Sequence, residues 1–182
     1  MVVRVRAPLS EECVRSLRAG DRVLVDGVLY AARDAAHRRM FEAMERGEAL
    51  PIDVAGQIIY YVGPCPPKPG AVIGSAGPTT SARMDAYAPA LIRAGLRGMI
   101  GKGYRSPEVG QAMVEYGAVY LVATGGAAAL LSDRIVAADV VAYDDLGPEA
   151  LRRLVVEGFP AVVAIDALGA NLYEKAPALW RR

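Results

Sequence analysis

The stretch Arg97–Ala123, "RGMIGKGYRSPEVGQAMVEYGAVYLVA", decides the fold class of this chain. Each end of the stretch is a short apolar run of the kind that forms a buried strand. Between them, Ser106-Pro107-Glu108 places a capping hydroxyl, a proline and an early acid in the order that begins a helix, and Gly117 ends that helix. A strand, a helix and a second strand in succession predict an α/β architecture.

The alternation continues on both sides of this stretch. Residues 57–64, "QIIYYVGP", form a buried type of strand, and residues 125–132, "GGAAALLS", are typical of a short helix. Residues 135–143 and 160–166, "IVAADVVAY" and "PAVVAID", predict two further strands. Between these two strands, the sequence "GPE" predicts the start of a helix that runs over residues 147–158.

The first half of the chain departs from strict alternation. Residues 22–32, "RVLVDGVLYAA", are two β-rich runs around Asp26-Gly27, which predicts a hairpin. A helix is predicted from about Thr80 to Gly95. Because a hairpin interrupts the pattern, the predicted fold is a three-layer α/β domain with a mixed sheet, and we expect residues 1–182 to form one domain.

Composition excludes several classes of function. The chain has 182 residues and a formal net charge of +1, with acids and bases mixed, which argues against a nucleic-acid partner. No stretch approaches the roughly 20 apolar residues of a membrane span. The N-terminus lacks the apolar run of a signal peptide, so a cytoplasmic location is expected. Cys13, Cys65 and a single histidine are too few for a closed metal site, so we expect no metal ligands in this chain.

The stretch Ile73–Asp85, "IGSAGPTTSARMD", contains the first candidate site. A glycine-lined turn before a helix N-terminus favours an anion, and Thr79 and Thr80 add hydroxyl donors. Arg83 follows Thr79 by one helical turn, so a hydroxyl and a guanidinium could hold one planar carboxylate. Alternatively, Thr80 caps a helix and Arg83 pairs with Asp85 or another acid, and the residues alone leave both interpretations open.

A second cluster lies in residues 32–37, "ARDAAH". Arg33 falls between a strand and a helix that Asp34 is expected to cap, and His37 follows on the same face. Taken alone, this cluster is more typical of a capping aspartate beside an exposed arginine and histidine.

Lys102 is the third candidate, because it lies between two glycines directly after a buried strand. A solvated lysine at a strand end is the ordinary explanation. However, Arg33, Arg83 and Lys102 all lie at strand ends or helix starts, which tend to converge on one edge of an α/β sheet. Such an edge would bind a small dicarboxylate, and without an evident cofactor or acid–base pair it looks like half of a site.

The motifs also resemble those of a known family. The segments "ARDAAH", "YYVGP", "GSAGPTTSARMD", "IGKG", "GGAAAL" and "DLGPEA" occur in this order between about residue 20 and about residue 173. This order resembles the C-terminal (β-subunit) domain of class I iron–sulfur fumarate hydratases and of the related L-tartrate dehydratases. The resemblance implies a swivelling β/β/α fold and a hydro-lyase that interconverts fumarate and (S)-malate.

The resemblance further implies a partner α-subunit whose three cysteines hold a [4Fe–4S] cluster, in an α2β2 heterotetramer. One iron of that cluster would act as a Lewis acid on the substrate hydroxyl. In this chain, substrate would be bound by Arg33, Thr79, Arg83 and Lys102. Thr79 would lie near the carbon that loses its proton, and Lys102 would help to neutralise the developing negative charge. Supporting positions would be Asp34, His37, Thr80 and Asp85.

Two alternatives remain open at this point. The same chemistry could act on L-tartrate or another dicarboxylate, because the cations do not distinguish these substrates. The chain could also be an anion-binding or assembly module without turnover.

Overall fold

A computed structural model describes residues 2–180 of this chain. Two long strands join the layers of its fold. The strands of its mixed sheet are β1 (Val2–Ala7), β2 (Arg22–Ala31), β3 (Ile58–Tyr60), β4 (Gly98–Gly101), β5 (Val119–Val122), β6 (Ile135–Ala142) and β7 (Leu151–Ile165). Its α-helices are α1 (Glu11–Ser16), α2 (Asp34–Glu45), α3 (Ala88–Arg93), α4 (Pro107–Tyr116), α5 (Ala128–Ser132) and α6 (Leu172–Trp180). Short 3₁₀ turns span Ser81–Met84 and Asp144–Glu149.

Strands β2 and β7 pair antiparallel along nearly their whole length, from Arg22 opposite Val162 to Ala31 opposite Arg152. One layer consists of this pair with β1 and β6 added at its edges. The parallel strands β3, β4 and β5 form the second layer, which joins the end of β2 through β3 and the end of β7 through β5. Both long strands therefore belong to both layers.

Two apolar clusters lie on opposite faces of the second layer, because side chains alternate along a strand. Tyr60, Ile100 and Leu121 point towards the first layer and belong to the inner cluster. Ile59 and Tyr120 belong to the outer cluster, which includes side chains of helices α2, α3 and α4. The predicted three-layer α/β fold with a mixed sheet is thus confirmed.

The predicted hairpin at Asp26-Gly27 is wrong, because β2 continues through both residues. Its register shifts between Val25 and Gly27, so the dipeptide forms a bulge instead of a turn. The Asp26 carboxylate accepts hydrogen bonds from Arg4 at 2.5 Å and from the Gly158 N–H at 2.7 Å. Gly27 has φ +98° and pairs with Ala7 of β1, whose backbone leaves no room for a Cβ at this position. The conformational freedom that suits a turn is used here for a bend within a strand.

The predicted helix over residues 147–158 is also wrong. The 3₁₀ turn that contains Pro148 ends at Glu149, and β7 begins at Leu151. Strand β7 has β2 on one side and β6 on the other over this segment, so its backbone groups are satisfied in the sheet. Pairing on both sides outweighs the local helix signal.

The helix predicted from about Thr80 to Gly95 is broken in two. A 3₁₀ turn covers Ser81–Met84, and α3 begins only at Ala88. Between them, the Asp85 carboxylate accepts hydrogen bonds from the Arg105 side chain and from the Ser106 N–H.

No helix in the described part of the chain has the length and apolarity that crossing a bilayer requires. The assignment of residues 1–182 to one domain extends past the described residues at both ends and stays a prediction.

Replacing Gly27 with Ala should destabilise the fold more than the same change at Gly20. Both glycines have φ near +100°, so both variants carry backbone strain of about 1 kcal/mol or more. A Cβ at Gly27 would lie 2.5 Å from the Ala7 carbonyl oxygen, whereas a Cβ at Gly20 meets nothing within 4 Å. We expect Gly27→Ala to cost about 2 kcal/mol more in the free energy of unfolding, measured by urea denaturation. Equal losses in the two variants would contradict a steric role for the β1 backbone.

Candidate functional site

The carboxyl ends of four neighbouring parallel strands form one edge of the second layer. Arg33 follows β2, Gly63 follows β3, Lys102 follows β4 and Gly125 follows β5. The pairings of β2 with β3, β3 with β4 and β4 with β5 are all parallel, so these segments emerge on the same side. This edge, called here the cation edge, is where open α/β sheets bind ligands.

Thr79 and Lys102 are joined by a short parallel ladder that extends β4. The Lys102 N–H donates to the Thr79 carbonyl at 3.2 Å, and the Ser81 N–H donates to the Lys102 carbonyl at 2.9 Å. Thr80 and Lys102 form the bridge pair between the two segments. Thr80 lies at the N-cap position of the 3₁₀ turn, but its side chain makes no capping hydrogen bond. The Lys102 side chain extends towards the glycine turn after β5, with Nζ 4.0 Å from a Cβ built on Gly125.

Two arginines at the cation edge are held by carboxylates. Arg83 Nη2 donates to Asp34 Oδ2 at 2.8 Å. Arg33 Nη2 lies 3.1 Å from Glu149 Oε1, and Arg33 Nε lies 3.6 Å from Asp34 Oδ1. Of the two interpretations of Arg83, ion pairing is therefore observed, but with Asp34 and not with Asp85. Asp34 lies between both guanidinium groups and brings Arg33 and Arg83 together.

The expectation that Asp34 caps helix α2 is not met. The N-cap position belongs to Arg33, and Asp34 is the first helical residue. Partial burial acts to raise the pKa of the Asp34 carboxyl, but its own backbone N–H, the Arg83 hydrogen bond and the charges of Arg83 and Arg33 outweigh that effect. The net pKa is below the ordinary value, so Asp34 is anionic at neutral pH and offsets the charge of the arginines.

His37 is completely buried beneath the cation edge. Its Nδ1 lies 2.9 Å from the Arg33 carbonyl oxygen, and its ring packs edge-on against Tyr61, with 5.2 Å between the ring centroids. Burial, together with the nearby Arg105 charge, lowers the pKa of His37 to about 4, against the opposing effects of the Arg33 carbonyl and the Asp34 charge. The imidazole is therefore neutral at physiological pH and serves to fix the backbone that carries Arg33.

Asp85 binds a buried arginine that sequence reasoning missed. The Arg105 side chain is 0% exposed, and its Nε donates to Asp85 Oδ1 at 2.6 Å. The guanidinium carbon lies 5.3 Å from the Tyr61 ring centroid and 5.0 Å from that of Tyr120. The local sequence "KGYRS" gave no signal of this burial, because the charge is compensated by residues distant in the chain.

Glu149 was also missed, although it lies in the quoted segment "DLGPEA". Its contact with Arg33 depends on the pairing of the end of β2 with the start of β7, which local sequence does not reveal. At the cation edge, the carboxylates of Asp34 and Glu149 thus bind the arginines. The carboxylates of a ligand can bind a guanidinium in the same way, either beside these two groups or in their place.

The described residues contain no group of three or more His, Cys, Asp or Glu side chains placed to bind a metal ion. The chain has two cysteines, Cys13 on the partly buried face of α1 and Cys65 in an exposed loop. A [4Fe–4S] cluster is held by several cysteine thiolates, and the two cysteines of this chain are too few to hold one.

Comparisons with known proteins agree with the order of the motifs. A family model described as "Fumarase C-terminus" matches residues 1–176. The "Putative L(+)-tartrate dehydratase subunit beta" of Methanocaldococcus jannaschii is 40% identical over 173 residues, which cover 92% of this chain and 89% of the relative. These matches confirm the resemblance that the motifs indicated.

Two longer relatives are fumarate hydratases. "Fumarate hydratase 2" of Leishmania major is 39% identical over 177 residues, and "Fumarate hydratase class I, aerobic" of Salmonella typhimurium is 36% identical over 177 residues. These alignments cover 96% and 95% of this chain but 30% of each relative, so the chain spans less than a third of their length.

The imidazole of His37 should remain neutral far below its ordinary titration range. Because the chain has one histidine, its ¹⁵N signals can be followed by NMR without assignment ambiguity, and we expect a midpoint of about 4. The unfolded chain binds the proton near pH 6.5, so this group's stabilisation is complete above pH 6.5 and is lost as the pH falls towards 4. Between these pH values, His37 should contribute a slope of roughly 1.4 kcal/mol per pH unit to the free energy of unfolding, and His37→Gln should lack this contribution. A midpoint between pH 6 and pH 7 would contradict the buried, neutral state.

Proposed function

Because the chain belongs to the fumarase C-terminus family, we propose that it is the substrate-binding β-subunit of an iron–sulfur hydro-lyase that interconverts fumarate and (S)-malate. The observation that carries this proposal is the cation edge, where Arg33 and Arg83 share Asp34 and the Thr79–Lys102 ladder lies beside them. Its relatives named above are hydratases and a dehydratase, so the reaction class is addition or removal of water.

The two arginines are suited to a dicarboxylate. A guanidinium binds a carboxylate through two parallel N–H donors, and Arg33 and Arg83 already bind the carboxylates of Glu149 and Asp34. The substrate carboxylates would take over part of these contacts, since the Arg83 side chain is 48% exposed and Asp34 is 32% exposed. Binding would then exchange one ion pair for another without leaving a guanidinium unpaired.

The ladder supplies the residues nearest the reacting carbons in this proposal. Removal of the proton next to a carboxylate places negative charge on that carboxylate, and the Lys102 ammonium would stabilise it. The Thr79 hydroxyl would lie at the carbon that loses its proton, on a segment that the ladder hydrogen bonds place beside Lys102. Thr80 and Asp85 would support this arrangement from either side of it, and Asp34 and His37 would support Arg33.

We assign the [4Fe–4S] cluster to a partner α-subunit, because the two cysteines of this chain do not fit it. The relative named as a subunit beta supports a separate partner chain, and an α2β2 heterotetramer is the assembly we expect. Cys13 and Cys65 are both free thiols in the structure.

L-Tartrate is the second candidate substrate, favoured by the similarity to a relative named as a tartrate dehydratase subunit. It is also a four-carbon dicarboxylate, so the two arginines would bind it in the same way. The two substrates differ in the hydroxyl groups at their central carbons, which the partner subunit would face.

The proposal is tested by assaying this chain alone and with its cluster-bearing partner under anaerobic conditions after cluster reconstitution. We expect fumarate hydration by the mixture and none by either chain alone. Turnover of L-tartrate without turnover of fumarate would replace the substrate but keep the reaction class. Failure of the two chains to associate would overturn the split-site proposal and favour an anion-binding module.

Replacing Arg83 with Ala should reduce kcat/KM for fumarate by about 100-fold, because the variant loses a charged hydrogen bond to the substrate dianion. The free energy of unfolding should change by less than about 1 kcal/mol, since the ion pair with Asp34 is half-exposed and Asp34 keeps its contact with Arg33. The matched control is Arg46→Ala, which removes an exposed arginine paired with Glu48 at the opposite end of α2. Equal kinetics for the two variants would remove Arg83 from the site.

A further inference from the structure

The ladder that holds Thr79 beside Lys102 is short and exposed. It contains two hydrogen bonds, from the Lys102 N–H and from the Ser81 N–H, and both Thr80 and Lys102 lie on the surface. Solvent that reaches the exposed residues Thr80 and Lys102 competes with so short a ladder for its backbone groups, which weakens its hold on the geometry. The Thr79 N–H also donates to the Tyr61 carbonyl at 2.7 Å, but that bond does not reach Lys102. A contact that joins both sides of the ladder lies beneath it.

One buried hydroxyl connects both sides of the ladder. The Tyr120 hydroxyl donates to the Gly103 carbonyl at 2.9 Å and lies 2.8 Å from Ser81 Oγ. Since its single proton is used on Gly103, the Ser81 hydroxyl donates to the Tyr120 oxygen. Ser81 ends the threonine side of the ladder, and Gly103 directly follows Lys102. The bridge Ser81–Tyr120–Gly103 thus ties together the two segments that carry the proposed chemistry.

Tyr120 is itself held rigidly. It lies on β5, is completely buried, and its ring faces the Arg105 guanidinium at 5.0 Å. Arg105 is fixed in turn by Asp85, which also accepts the Ser106 N–H at 2.7 Å. A buried cation that is paired with a carboxylate and packed against aromatic rings has little freedom to move.

Gly101 provides the space for this bridge. A Cβ at Gly101 would lie 2.0 Å from Ser81 Oγ, so the Ser81 hydroxyl occupies the volume that any other residue would fill. Ser81 is also completely buried, which leaves its hydroxyl no solvent partner. The bridge is therefore a built feature of the fold.

We propose that Tyr120 is a positioning residue for the hydro-lyase reaction: its hydroxyl, through Ser81 and Gly103, holds Thr79 and Lys102 in their reacting geometry. This inference rests on the proposed function. It assigns Tyr120 no proton transfer, since burial raises the pKa of its hydroxyl and keeps it protonated. The arginines are held by Asp34 and Glu149, so loss of the bridge should affect the chemical step more than substrate binding.

The test compares Tyr120→Phe with Tyr60→Phe in the full chain and in the complex with its partner. Tyr60 is also completely buried and donates a hydrogen bond to a carbonyl, that of Ala76 at 2.6 Å, which lies outside the ladder. For Tyr120→Phe we expect kcat to fall by about 10- to 100-fold, because a small displacement of reacting groups has effects of this size, while KM changes by less than about threefold. Tyr60→Phe should leave kcat within about twofold of wild type.

Ser81→Ala provides an independent variant, because it breaks the bridge but retains the bond from Tyr120 to Gly103. We expect it to lower kcat as well, and the double variant should be no slower than Tyr120→Phe alone, since both changes remove the same connection. Multiplicative losses in the double variant would overturn the bridge as a single unit.

Amide exchange of the chain alone gives a readout that does not depend on activity. In Tyr120→Phe, exchange of the Ser81 and Lys102 amides should accelerate by about tenfold or more, while Tyr60→Phe should leave it unchanged. Unchanged exchange in Tyr120→Phe, or faster exchange with an unchanged kcat, would overturn the inference. An inactive wild-type complex would instead overturn the proposed function, and the catalytic part of this inference with it.

Discussion

The antiparallel pairing of β2 with β7 is the constraint on which the rest of the structure depends. It runs from Arg22 opposite Val162 to Ala31 opposite Arg152, so each strand reaches from one layer into the next. At one end of the pair, β2 stops just before Arg33 and β7 starts just after Glu149, which brings those two side chains within 3.1 Å. The same hydrogen-bonded register that closes the inner core therefore places a carboxylate on a guanidinium of the cation edge.

Carboxylates of this chain compensate the two arginines of the cation edge without a ligand. Asp34 lies between Arg33 and Arg83, and Glu149 completes the coordination of Arg33. Unpaired guanidinium groups so close together would repel each other, and partial burial would increase that repulsion. The two carboxylates relieve it and fix the direction of each guanidinium. In the proposed function, a dicarboxylate would take over this compensation, because it carries the same charge in the same chemical groups.

Sequence signals were sufficient where the decisive interaction was local. The stretch Arg97–Ala123 was predicted correctly, since capping residues, a terminal glycine and apolar runs all act within a few positions. Asp26-Gly27 was assigned to a turn because a turn and a bulge require the same glycine conformation, and only the distant β1 and β7 distinguish them. Residues 151–158 adopt a strand for a similar reason, because partners on both sides override the local preference.

The same distinction applies to the candidate site. The positions of Arg33 and Lys102 at strand ends could be predicted from sequence, because strand ends are local features. Their partners could not: the contact between Arg83 and Asp34 joins residues 49 positions apart, and that between Arg105 and Asp85 joins residues 20 positions apart. Which carboxylate meets which arginine depends on strand order, and the sequence contains several acids that would suit each arginine equally well.

The burial of His37 limits how this chain can take part in proton transfer. Histidine is the side chain that most often exchanges protons near neutral pH, and this chain has one. His37 is completely buried, and its pKa is lowered to about 4, so it neither reaches a ligand nor carries a proton at neutral pH. Asp34 is held anionic between two arginines. Under the proposed function, proton transfer would fall to the ladder residues Thr79 and Lys102, to Glu149, or to groups of the proposed partner. Positional control of the ladder is then more important than its acidity, because a hydroxyl and an ammonium contribute only when they are held close to the atoms that react.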